Sequence, residues 1–97
     1  METFVALADP TRRRIVEMLA QGRLSSGEIA SRFEITAPAV SQHLKVLRNA
    51  RLVRVRPEAQ RRIYELDEAG VAELSLWLAD IRRLLGERIL GEADLRQ

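Results

Sequence analysis

Apolar positions recur at helical spacing through most of the chain and switch to alternation once, near residue 52. Phe4, Leu7 and Ala8 share one face of a brief first helix. Asp9-Pro10 then reads as an N-cap followed by proline at the first helical position, where the missing N–H is no loss. The second helix runs to about Ala20, with Ile15, Met18 and Leu19 inward, and Gly22 ends it. Ser25 and Glu28 have capping-box spacing for a third helix whose apolar face is Ile29, Ala30 and Phe33. Glu34-Ile35-Thr36 is a tight turn with one apolar residue expected to be buried. Thr36 caps a fourth helix, in which Pro38 lies in the tolerant first turn and Val40, Leu44 and Leu47 form an inward stripe at i, i+4, i+7.

From Leu52 to Arg56 apolar and basic residues alternate, a strand signal. Residues 57–61 read as a polar loop and Arg62 to Leu66 as a returning strand, giving a two-stranded hairpin. Asp67 caps a last helix that carries Val71, Leu74, Leu78, Ile81 and Leu85 on one stripe, with Trp77, Leu84 and Ile89 beside it. That apolar surface is wide for so small a domain. Leu74, Trp77, Leu78, Ile81, Leu84 and Leu85 are therefore expected at a subunit interface; the alternative is ordinary intramolecular core. The chain after Gly91 is expected to fray. The predicted fold is mainly α: about five helices plus a two-stranded wing, one winged helix-turn-helix domain over residues 1–97, dimerising through its terminal helices.

Composition narrows the function. The chain has 97 residues, 46% hydrophobic and 31% charged, the mix of a soluble domain with one modest core. Its longest unbroken apolar run, Phe4 to Ala8, is too short for a membrane span or the apolar part of a secretory signal. A cytoplasmic, nucleoid-associated location is expected. Absence of cysteine excludes disulfides and thiolate metal sites. Aromatics, at 4%, are too scarce for base-stacking platforms. The net charge of +2 hides an asymmetry: residues 10–62 hold 12 basic and four acidic groups, a net of +8, and the remainder is at −6. A basic middle suits a polyanion partner, although a merely solvated surface would look similar.

A capped helix, a short turn, a second capped helix and a basic hairpin, in that order, point to DNA. In such a pair the second helix enters the major groove and the first crosses the backbone. The candidate readers on the fourth helix are Thr36, Ala37, Ala39, Ser41, Gln42, Lys45 and, at the edge, His43. Glutamine can bond adenine with two bonds, serine and lysine serve bases or phosphates, and alanine can meet a thymine methyl. Arg54, Arg56, Arg61 and Arg62 on the hairpin suit the minor groove or flanking phosphates. Arg12, Arg13 and Arg14 open the second helix, and internal pairing, such as Arg13 with Glu17, is the preferred reading over backbone contact. The alternatives to a DNA reader are a dimeric winged-helix protein-interaction module, or a sensor of an organic ligand bound near Trp77 at the dimer interface.

The stretches Asp9-Pro10-Thr11-Arg12 and Ala39-Val40-Ser41-Gln42-His43-Leu44-Lys45-Val46-Leu47 closely resemble the ArsR family of winged-helix repressors, and the likeness extends over roughly residues 4–90. The resemblance implies a homodimer built from the first and last helices, which puts Phe4 and Leu7 at the interface too, a palindromic double-stranded operator, and repression of its own or a neighbouring operon. It places Ser41, Gln42, His43 and Lys45 in the DNA-reading helix and Arg61 and Arg62 on the wing. Three positions depart from the family's pattern: Glu34, Arg51 and the wing tip Pro57-Glu58-Ala59-Gln60 stand where glycine is common, and since positive φ costs a non-glycine residue the resemblance does not fix the local geometry there. Many relatives sense metals through cysteines in the reading helix or through Asp, His and Glu on the last helix. Here the one histidine is His43. Glu73, Asp80 and Glu87, spaced by seven, read as a solvated face, since carboxylates alone suit hard ions such as Ca²⁺. The chain thus resembles a non-metal branch, with no cofactor or metal and an effector, if any, of unknown kind.

Enzymatic readings fail on residues. Ser41 and His43 are two apart on a helix and point to different sides, so they cannot form a nucleophile–base pair. Gly22 to Gly27 copies the glycine spacing of a phosphate loop, but Glu28-Ile29 follows instead of Lys and Ser/Thr.

Overall fold

The computed structural model describes residues 2–95, with side-chain surroundings through residue 91. Five helices and three strands follow in the order α1 (Glu2–Leu7), α2 (Pro10–Ala20), β1 (Leu24–Ser25), α3 (Ser26–Ala30), α4 (Ala37–Asn49), β2 (Val53–Glu58), β3 (Arg61–Leu66) and α5 (Glu68–Leu95). The sheet is antiparallel with order β1-β3-β2.

The caps form where their residue types predict. Asp9 accepts from the Arg12 amide at 3.0 Å, with Pro10 at the first helical position. Ser25 and Glu28 form a reciprocal capping box: the Ser25 hydroxyl accepts from the Glu28 amide at 3.1 Å and the Ser25 amide donates to Glu28 Oε1 at 3.0 Å. Thr36 Oγ1 accepts from the Ala39 amide at 3.2 Å, and Asp67 Oδ1 accepts from the Ala69 amide at 3.0 Å at the head of α5.

The core is built from Ile15, Met18 and Leu19 of α2, Ile29 of α3, and Val40, Leu44 and Leu47 of α4. Leu52, Val53 and Tyr64 close it from the sheet side. Several expectations are corrected. The sheet has three strands, because Leu24-Ser25 pairs with Tyr64-Ile63; a two-residue strand is too short to leave a periodic signal. Pro57 and Glu58 belong to β2 and Arg61 to β3, so the hairpin turns on Ala59-Gln60 alone. Pro57 is tolerated because β2 is an edge strand. Ile35 is exposed rather than buried. On α1 the buried positions are Thr3 and Ala6; Phe4 turns away from the core and packs edge-to-face on Trp77, ring centroids 4.9 Å apart. α5 continues to Leu95, past the point where fraying is expected, and residues 96 and 97 lie outside the described part.

The end of α4 is locked to the start of α5. The Leu52 amide donates to the Leu47 carbonyl at 3.0 Å and the Arg51 amide to the Arg48 carbonyl at 2.9 Å, the paired bonds of a Schellman motif. That motif needs a left-handed residue, and Arg51 takes it at φ 59°. Ala59 at the wing tip does the same at φ 56°. Two of the three glycine-poor positions thus keep a positive φ without glycine, whereas Glu34 does not have positive φ. The Arg51 carbonyl then accepts from the Gly70 amide at 3.1 Å. A Cβ at Gly70 would lie 2.2 Å from that carbonyl oxygen, so only glycine permits the approach.

Two stability predictions follow from this joint. Arg51→Gly and Ala59→Gly each relieve left-handed strain of ~1–2 kcal/mol against an unfolded-state entropy cost of about 0.4–1 kcal/mol. Urea denaturation should therefore show a net gain for each. Gly70→Ala should destabilise by roughly 1–3 kcal/mol in the same assay, because backbone on both sides must move.

Candidate nucleic-acid interface

The reading face follows from what α4 buries. With Val40, Leu44 and Leu47 inward, Ser41, Gln42 and Lys45 are carried to the exposed side, with Thr36 and Ala37 exposed at its N-terminus. Ala39 and His43 are half-buried. Thr36 Oγ1 is engaged in its cap. α3 packs beside α4 across the turn, and β2 and β3 project Arg56 and Arg62 into solvent.

His43 looks toward the body of the domain. Its Nδ1 lies 3.4 Å from Arg12 Nη1 and 3.9 Å from Asp9 Oδ2, and its side chain is 23% exposed. Arg12 is the hub of this joint. Its Nε donates to the Ala6 carbonyl at 2.7 Å, an acceptor at the end of α1, and its Nη2 to the Val5 carbonyl at 3.2 Å, which also accepts from the Ala8 amide. Arg13 Nη1 likewise donates to the Leu7 and Ala8 carbonyls at 2.7 and 3.2 Å. Arg12 and Arg13 are therefore internal, as preferred from the sequence, but their partners are the carbonyls of α1 and the α1–α2 turn, not Glu17. The Asp9 carboxyl is held below the usual range, mainly by the Arg12 amide.

The four wing arginines divide into pairs. Arg54 Nε lies 3.0 Å from Glu65 Oε1, its directly opposed neighbour across the hairpin. Arg61 Nη2 lies 2.7 Å from Glu28 Oε1, which ties the wing to the first helix of the helix-turn-helix. Arg56 and Arg62 make no ion pair with the described residues. Sequence reasoning missed Arg48 and Asn49, which join Ser41, Lys45, Arg62 and Tyr64 around a cleft between α4 and β3. The signal was available for Arg48, which continues Ser41 and Lys45 at i, i+4, i+7. Among the described residues no three His, Cys, Asp or Glu side chains converge to hold a metal, and no helix is long and apolar enough to cross a membrane.

Two capped helices joined by a turn, a polar outer face on the second, and a basic hairpin beside it define a winged helix-turn-helix transcriptional regulator. The chain belongs to the ArsR family: residues 9–55 match the family described as "Bacterial regulatory protein, arsR family". It is 51% identical over 90 residues to the HTH-type transcriptional regulator Rv2034 of Mycobacterium tuberculosis, covering 93% of this chain and 81% of that one. It is 33% identical over 75 residues to the transcriptional repressor SdpR of Bacillus subtilis, covering 77% and 83%. Among solved structures it is similar to the homodimeric winged helix-turn-helix DNA-binding domain of Mb0332 from Mycobacterium bovis, with TM-score 0.69, 27% identity, and coverage of 87% and 79%.

Glu28 gives the site a pH-dependent support. Its carboxyl is held below the ordinary glutamate range, first by the Ser25 amide, then by the Ser25 hydroxyl and the Arg61 charge. A carboxyl with a depressed folded pKa stabilises the fold above its unfolded pKa, and this is lost as pH falls through the folded value. Stability should therefore lose a Glu28-dependent component as pH drops below about 4. Thermal melts of Glu28→Gln should show a smaller acid-side loss than wild type.

Proposed function

We propose that the chain works as a homodimer that binds a palindromic double-stranded operator and represses transcription. The observation that carries this reading is the exposed polar face of α4, set opposite its buried stripe and beside the basic wing. Gln42 and Ser41 supply base contacts, with Ala37 and Ala39 allowing close approach. Lys45, Arg56 and Arg62 supply phosphate contacts, and Arg54 and Arg61 add theirs once they exchange Glu65 and Glu28 for the duplex. His43 acts from behind the reading face, steadying α4 against Asp9 and Arg12.

The homodimer reading is supported by α5. Trp77, Leu78, Ile81, Leu84, Leu85, Ile89 and Leu90 are all exposed, Leu90 to 68%, a patch that isolated domains rarely leave uncovered. Phe4 adjoins it through Trp77; Leu7 and Leu74, the other expected interface residues, are half-buried against the core. A twofold arrangement through α1 and α5 would set two reading helices in successive major grooves, about 34 Å apart. Residues 1–97 then form one domain whose terminal helices are its interface. The absence of cysteine and the engagement of the one histidine support a non-metal branch of the family, acting in the cytoplasm on the nucleoid, with any effector unidentified. The fold and the reading face favour this role over a protein-interaction module or a catalyst.

Fluorescence anisotropy with a duplex from the chain's own upstream region and a scrambled control tests the reading; promoter preference with a steep salt slope is the expected result. Gln42→Ala should narrow the promoter-to-scrambled preference by ~1–3 kcal/mol, and an unchanged ratio would remove Gln42 from the reading set. Leu78→Asp, on a face already in water, should leave the fold intact and give a monomer by sedimentation. Operator affinity should fall on the order of 100-fold as the second half-site contact is lost.

A further inference from the structure

We propose that the cleft between α4 and β3 seats one DNA backbone phosphate, held by Lys45, Arg48 and Arg62. The inference rests on the DNA-binding reading above and deepens it by naming the contact that sets helix and wing in register. The cleft has a volume of about 240 Å³ and is lined by Ser41, Lys45, Arg48, Asn49, Arg62 and Tyr64. Ser41, Lys45 and Arg48 share one face of α4, and Arg62 and Tyr64, two apart, share one face of β3. Tyr64 is buried and forms the floor; the other five residues are exposed and polar.

Charge makes the cleft specific for an anion. No carboxylate lines it, and none of its three cations forms an ion pair with a described residue. The neighbouring carboxylates are engaged elsewhere, Glu65 with Arg54 and Glu28 with Arg61. Like charges around one concavity repel in the free protein, and an anion between them turns that repulsion into attraction. Ser41 and Asn49 add neutral donors to the same space.

Groove geometry identifies the anion. A helix in the major groove and a hairpin in the adjacent minor groove have one sugar-phosphate strand between them. The cleft lies between the helix and the hairpin that would take those places, so that strand must pass its mouth. Its cations sit on long, exposed side chains that lose rotamer freedom when they close on an ion. Such a site favours a phosphate held in place by contacts on both sides over a free ion that must be captured alone.

The test uses Arg48→Gln and Arg62→Gln, both exposed positions, with circular dichroism to check the fold. Anisotropy is measured on the upstream duplex and its scrambled control across a KCl series. Each variant should reduce the slope of log K against log [salt] by up to about 1.8, about 0.9 for the one phosphate in each half-site of the dimer, and weaken both duplexes by the same factor, leaving their ratio unchanged. Single neutral methylphosphonate linkages are then moved along the site. At one linkage per half-site the loss should be smaller in Arg48→Gln and in Arg62→Gln than in wild type, because each variant has one cation fewer on that phosphate. Unchanged slopes in both variants would overturn the assignment, as would a changed promoter-to-scrambled ratio, which would make these side chains base readers. A flat methylphosphonate scan, with inorganic phosphate below 1 mM saturating the Lys45 and Arg48 amide resonances, would reassign the cleft to a free anion. Wild-type protein that binds neither duplex at low salt would overturn the DNA reading along with this one, whereas unchanged slopes beside intact promoter preference would overturn this one alone.

Discussion

The face that α4 turns outward is fixed by three side chains on its opposite side. Val40, Leu44 and Leu47 are almost free of solvent and pack among Ile15, Ile29 and Leu52. A helix held by one stripe can expose only the opposite one, so the orientation of Ser41, Gln42 and Lys45 follows from apolar packing rather than from any polar contact of their own. The Schellman bonds at Leu47 and Arg48, and the Gly70 approach to Arg51, stop the helix from sliding or rotating about that stripe. The strained Arg51 backbone is the local cost of that lock.

The second organising feature is the distribution of carboxylates. The basic middle of the chain carries few acids, and the structure places the relevant ones with care. Glu28 completes a helix cap and holds Arg61, while Glu65, brought in by β3, holds Arg54. Asp9 caps α2 and stands near His43 and Arg12. Lys45, Arg48, Arg56 and Arg62 are left without a carboxylate partner among the described residues. On the wing the available positive charge is therefore narrower than the count of arginines implies, and Lys45, Arg48 and Arg62 bring theirs together at the seam between α4 and β3.

A small chain also limits what can be covered. α1 to α4 and the sheet close one core, and α5, 28 residues and about 42 Å long, reaches far beyond it. Only its first turns meet that core, through Gly70 and Leu74. The molecule accordingly measures 65 × 25 × 23 Å. Within the core unit Arg12 ties α1 to α4, since one guanidinium holds the end of α1 and stands against His43 on the reading helix.

Local chemistry was legible in the residues. Caps at Asp9, Ser25, Thr36 and Asp67, the inward stripe of α4, the hairpin and the apolar excess of α5 each depend on neighbours a few positions apart, where spacing alone carries the information. The backbone at Arg51 and Ala59 was open from the residues, since only the fold shows that the chain keeps a positive φ there without glycine. What was not legible depends on pairings between distant segments. The strand at Leu24-Ser25 exists only because β3 offers an edge. The buried face of α1 was set by what it met, so Thr3 and Ala6 went inward and Phe4 turned to Trp77. Which wing arginines are paired depended on Glu28, 33 residues before Arg61. The sequence by itself determined which segments become helices and which face of α4 is polar, because those are matters of short-range periodicity. Only the tertiary structure decided which charges stay available, because that depends on which carboxylates folding brings within reach.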